Sequence, residues 1–116
     1  MITRHKIGIE GENLVCQFLW QQGFKLLTRR FKCRSGEIDV IAERDNFVYL
    51  VEVKTSLKKG HEAVLSTRQR CRLWQAGIVY CKENSLEFPT GLLVALANLH
   101  EMSVSCELWN FSDLSW

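Results

Sequence analysis

Apolar residues between Ile7 and Gln22 recur at helical spacing. Ile7, Leu14, Val15, Phe18 and Leu19 form one stripe, and Gly23 follows where a helix C-cap favours glycine. Gly8 and Gly11 fall inside that stripe, where glycine costs helix stability, so their expected use is close approach of the helix backbone to a sheet. The period then changes from helix to strand. Phe24–Lys32, Glu37–Arg44 and Phe47–Thr55 read as strands, and Asp45-Asn46 suits a two-residue hairpin turn, so the three predict an antiparallel meander. A second helix is expected from a Ser66 or Thr67 cap to about Cys81, with Leu73, Ala76, Gly77 and Tyr80 facing inward. Leu92–Ala97 suits a buried strand, and Ser103–Trp109 its partner across a turn at Asn98–Glu101. The order αβββαββ predicts an α+β domain with a mixed central sheet flanked by helices, an α/β sandwich.

Phe47–Thr55 is apolar on both faces, which marks a central strand, except at its end. Glu52 and Lys54 continue the row begun by Val48 and Leu50, because side chains alternate along a strand. With a two-residue turn at Asp45-Asn46, Arg44 faces Phe47, and the same register sets Asp39 across from Glu52 with roughly 5 Å between their Cβ atoms. Two carboxylates sharing a patch repel and are costly to desolvate, so Lys54 or a divalent cation is expected to neutralise them. Mg²⁺ and Mn²⁺ suit such oxygen donors. The plainer alternative is a cross-strand salt bridge on a solvated sheet, which the apolar Val48 and Leu50 weigh against. Glu37 stands two residues from Asp39, as an auxiliary to the site or as a rim charge. Glu10 and Glu12 both border the helical stripe, and the wheel does not choose between them.

Composition narrows the classes. A chain of 116 residues with 47% hydrophobic and 24% charged residues supports one globular domain spanning residues 1–116. No apolar run is long enough to cross a bilayer, and no hydrophobic stretch follows the polar start in the manner of a signal peptide, so a cytoplasmic location without membrane contact is expected. Five cysteines without a Cys-x-x-Cys pair, and three dispersed histidines, argue for reduced thiols and against structural zinc. The formal charge of +2 conceals a division. Residues 1–82 hold all fifteen Lys and Arg against eight acids, while residues 83–116 hold five acids and no base. The basic part has the balance of a surface that meets a polyanion. Arg29, Arg30, Lys32 and Arg34 would flank the carboxylates, with Lys58, Lys59 and Arg68 as further phosphate contacts, although such a run is also an ordinary solvated edge. The four tryptophans suit packing better than base stacking.

The motif Gly36-Glu37-Ile38-Asp39, followed by Val51-Glu52-Val53-Lys54-Thr55 and preceded by Gly8, Gly11 and Glu12, resembles the PD-(D/E)xK nuclease superfamily. Within it the chain is most similar to the YraN-like proteins, themselves similar to Holliday-junction resolvases. Gly23-Phe24, the basic run to Arg34, Ala63-Val64 and Gln75-Ala76 extend the likeness. It implies a restriction-endonuclease-like fold and hydrolysis of DNA phosphodiester bonds, including branched or non-B-form DNA. Asp39 and Glu52 would hold Mg²⁺ or Mn²⁺ with the Val53 carbonyl, Lys54 would orient water or stabilise charge, and Glu12 would complete the acidic cluster. Gln69 would be a helix glutamine near the site, and a homodimer would match a two-fold junction. The chain departs from the pattern at Ile38 in place of proline, Ser56 in place of arginine, Arg30 in place of a common asparagine, and Pro89-Thr90-Gly91 in place of Arg-Phe-Asp. Two rivals accompany the enzyme: a catalytically silent nucleic-acid-binding module of the same fold, and a protein-interaction domain using the acidic tail Glu107–Trp116.

Overall fold

Thr3 accepts a hydrogen bond from the Lys6 N–H at 3.2 Å and caps α1 (Arg4–Gln21), so this helix starts one turn before the expected Ile7. The structure, a computed structural model, describes residues 3–58 and 65–111. Expectations for Lys59, Gly60, His61, Ala63-Val64 and Trp116 fall outside those residues. Gly23, at φ +87°, ends α1 and turns the chain into the meander β1 (Lys25–Cys33), β2 (Gly36–Arg44) and β3 (Phe47–Ser56). Asp45 and Asn46 take φ 54° and 67°, the left-handed pair that a tight hairpin needs. Ser66 and Gln69 form a reciprocal capping box that starts α2 (Thr67–Glu83). β4 (Gly91–Asn98) then lies parallel to β3, and β5 (Ser103–Asn110) returns antiparallel to β4.

The sheet order β1-β2-β3-β4-β5 sets β3 in the centre, as its two apolar faces require. One face is covered by α1, with Val15, Cys16 and Leu19 packed on Val40, Ala42, Val51, Leu93 and Ala95. The other is covered by α2, with Leu73, Ala76, Tyr80 and Cys81 packed on Ile41, Val48, Leu50, Leu92 and Val94. The result is the expected α+β fold, a mixed sheet with helices on both sides.

The two α1 glycines differ. A Cβ on Gly11 would lie 2.7 Å from Thr55 Cγ2, so only glycine lets α1 sit this close to β3. Among the described residues a Cβ on Gly8 meets nothing within 4 Å, which corrects the expectation that both serve close approach. Trp20 also departs from expectation: it is 73% exposed, whereas Trp74 and Trp109 pack against the α2-side core. Among the described residues no helix is long and apolar enough to cross a membrane.

Candidate active site

A kink in β1 and β2 decides where Asp39 goes. Pairing between these strands includes Arg29↔Val40 and Phe31↔Ile38, and between them Arg30 adopts φ 55°. Strict alternation from Ile41, which packs under α2, would aim Asp39 at the α2 side. Across the kink, Phe31 and Ile38 pack on the α2 side instead, and Asp39 joins Val40 in facing α1. Arg29 and Arg30 turn the same way, both reaching Glu12 of α1.

The β2–β3 ladder has the expected register from Arg44↔Phe47 to Val40↔Val51. One step further, Asp39 Oδ2 accepts from the backbone N–H of Val53 at 2.8 Å, so a side chain stands where a strand would otherwise pair. Glu52 lies between Val51 and Val53, which pack toward α1, so alternation sends it toward the opposite face. Its carboxyl still lies within hydrogen-bonding reach of Asp39. The two acids therefore meet where β2 and β3 part, rather than as a flat cross-strand pair beside Val48 and Leu50. Glu52 is pushed up to about 8, first by burial, then by the charge of Asp39, the shared hydrogen bond and Glu37; Lys54 pulls the other way and does not offset them.

A cavity of about 430 Å³ opens beside this pair, lined by Glu12, Arg30, Lys32, Glu37, Asp39 and Val53, with Arg4 and His5 from the first turn of α1. Glu12 is buried and Glu10 exposed, which settles the choice the helical wheel left open. Glu12 Oε1 accepts from Arg29 Nε at 2.8 Å and Arg30 Nε at 3.4 Å, and Arg29 Nη2 also donates to Asn13 Oδ1 at 2.8 Å. Glu12 Oε1 is thus shared by two guanidinium groups. The acidic cluster expected with Glu12 as third member is not assembled: among the described residues no three His, Cys, Asp or Glu side chains form a group able to hold a metal ion. The oxygen donors brought together at the parting of the strands are those of Asp39 and Glu52.

The remaining candidates scatter. Lys54 and Lys58 line a second cavity, of about 550 Å³, that shares Arg4, Gly8, Val53 and Thr55 with the first. The Lys58 backbone is tied down by Ser56 and by Asn98 Nδ2, which donates to the Lys58 carbonyl at 3.0 Å. Arg34, in the β1–β2 turn, and Arg68, in the first turn of α2, are exposed and do not line either cavity. Gln69 Oε1 accepts from the Ser66 N–H at 2.9 Å, so its place is the helix cap. Sequence reasoning missed Arg4 and His5 by starting α1 too late. Thr3, a residue type that caps helices, was the available signal.

Residues 11–100 match the model of Uncharacterised protein family UPF0102. A UPF0102 protein of Syntrophomonas wolfei is 38% identical over 87 residues, 72% of this chain and 76% of that protein. One from Caldicellulosiruptor saccharolyticus is 41% identical over 73 residues, 60% of this chain and 62% of that protein. For a Helicobacter hepaticus relative the figures are 49% identity over 55 residues, 47% of this chain and 49% of that protein. The match thus spans less than two thirds of two of these three relatives. With the family model covering most of the chain and the Asp39, Glu52 and Lys54 motif inside the matched span, the chain belongs to the UPF0102 family, the YraN-like group of PD-(D/E)xK-type proteins.

Proposed function

We propose that this protein is a divalent-metal-dependent endonuclease that hydrolyses phosphodiester bonds in DNA, with branched or otherwise non-B-form DNA as its substrate class. The observation that carries the reading is the meeting of the Asp39 and Glu52 carboxyls at the parting of β2 and β3, with Asp39 fixed by the Val53 N–H. Burial and the neighbouring charge of Asp39 push Glu52 up to about 8, and two hard oxygen donors there suit Mg²⁺ or Mn²⁺. Asp39 and Glu52 would hold that ion with the Val53 carbonyl. When bound, it would lower the pKa of water and neutralise charge on the phosphate. Lys54 stabilises developing negative charge beside Glu52, and the Val53 N–H keeps the Asp39 carboxyl oriented before substrate arrives. Lys32 and Arg30 hold a flanking phosphate from the cavity wall. A cytoplasmic homodimer goes with this reading, one protomer for each half of a two-fold substrate.

A second reading, a nucleic-acid-binding module without turnover, draws support from Glu12, whose Oε1 is held by Arg29 and Arg30. Labelled duplex, single-stranded, flap and four-way DNA, each with Mg²⁺ or Mn²⁺, separates the two. Asp39→Asn keeps an oxygen to accept the Val53 N–H, and it is expected to abolish cleavage while DNA binding persists. Salt-sensitive binding by the parent protein without cleavage under either metal favours the module. No binding at low salt favours a protein-interaction domain.

A further inference from the structure

Gly8 has a stability cost with no packing return. It lies in the second turn of α1, where glycine is poorer than alanine, yet a Cβ there would meet no atom of the described residues within 4 Å. Gly11, one turn on, is explained by its closeness to Thr55, and Gly8 has no such neighbour. Among the described residues, what surrounds Gly8 is open space. It lines both the cavity beside Asp39 and the adjoining one beside Lys54, and with Arg4, Val53 and Thr55 it belongs to the rim they share. Basic side chains stand on both sides: Arg30 and Lys32 in the first cavity, Lys54 and Lys58 in the second, and Arg4 in both.

We infer that Gly8 is the crossing point of one DNA strand, whose sugar-phosphate backbone runs from Lys32 over the bare helix surface at Gly8 to Lys58. The inference rests on the nucleic-acid reading of the site and adds to it the strand's path and a residue that sets access. Arg30 and Lys32 at one end and Lys54 and Lys58 at the other offer cations to a polyanion, and a helix surface without a Cβ lets a backbone pass between them. Glu12, Glu37 and Asp39 lie on the Asp39 side of the crossing, so the strand passes close to the carboxyl pair.

The test uses the full chain and whichever of the four DNA forms the parent protein binds most tightly. Gly8→Ala is expected to raise the melting temperature, because it improves the helix and clashes with nothing. Gly8→Leu is expected to keep the parent's melting temperature or exceed it while weakening DNA binding about tenfold. The slope of log affinity against log salt should also fall by about one for each phosphate that the variant no longer neutralises. Gln21→Leu, on an exposed part of the same helix, should leave affinity unchanged. If Gly8→Leu binds and cuts as the parent does, the crossing is wrong and the nuclease reading stands. If the parent binds no DNA at low salt, the nuclease reading fails and the crossing fails with it.

Discussion

The β2–β3 hairpin has two ends built by opposite rules. At the closed end, Asp45 and Asn46 supply the left-handed turn, and regular pairing follows from Arg44↔Phe47 to Val40↔Val51 with apolar side chains on both faces. At the open end, the Asp39 carboxyl takes the Val53 N–H, and burial together with the neighbouring charge of Asp39 pushes the Glu52 carboxyl up to about 8. The closed end follows the local preferences of its turn residues and of its buried apolar strand positions. The open end spends stability on a carboxyl pair that a well-paired hairpin would exclude, and such local conflict is where function is expected.

Asp39→Ala strikes the open end hardest. Under the proposed function, single-turnover cleavage should fall by about three orders of magnitude, equivalent to about 4 kcal/mol of barrier. A loss below tenfold would remove Asp39 from the reaction.

Glu52 gives the open end a pH signature. Its folded pKa, about 8, lies above the ordinary 4.5, so the folded state holds a proton that the unfolded chain releases. The stability it contributes is fully present below about pH 4.5 and is lost as pH rises toward 8, with a slope approaching about 1.4 kcal/mol per pH unit. Thermal melts of the metal-free protein from pH 5 to 8 should show this fall, and Glu52→Gln should flatten it. Protons and metal compete for the same carboxyl, so apparent affinity for Mn²⁺ should rise across this range. An unchanged slope in Glu52→Gln would place the titrating group elsewhere.

The closed end was legible for the reason it is regular. Turn chemistry at Asp45-Asn46 and the doubly apolar β3 fixed the register from sequence alone, and a buried stripe on α2 fixed Leu73, Ala76, Gly77 and Tyr80. The open end was legible only in which residues meet. Strict alternation holds for a strand without irregularities; beside the left-handed Arg30 of β1 it fails in β2, where Ile38 packs under α2 and Asp39 faces α1, a departure no periodicity encodes. The burial of Glu12 and the exposure of Trp20 depend on how α1 rolls on the sheet, which Gly11 sets by its approach to Thr55. Gln69 misled because one side chain suits a helix cap and an active site equally.

Asn46→Val sharpens the comparison from the other side. A β-branched residue at φ 67° is strained, and the hairpin should lose about 1–2 kcal/mol, read as a lower urea midpoint. Cleavage per folded molecule should stay near the parent value, because the turn lies at the far end of the pair from Asp39. A fall matching that of Asp39→Ala would mean that the two ends act as one unit.

The smallest effect tests what holds the kink. Arg30 is an ordinary L-residue at φ 55°, which costs on the order of 1 kcal/mol, and asparagine tolerates that conformation better. Against this, Arg30→Asn removes an ion pair with Glu12 at 3.4 Å whose arginine is 45% exposed, a class of interaction worth well under about 1 kcal/mol. Glu12 keeps its shorter bond from Arg29. Arg30→Asn should therefore raise stability by about 0.5 kcal/mol while lowering the salt dependence of DNA binding, since one cavity-lining cation is gone. The signs are opposite because the residue serves the site at the expense of the fold. If the urea midpoint falls instead, the Glu12 pair rather than the backbone preference holds the kink, and Glu12 becomes the residue that aims Asp39.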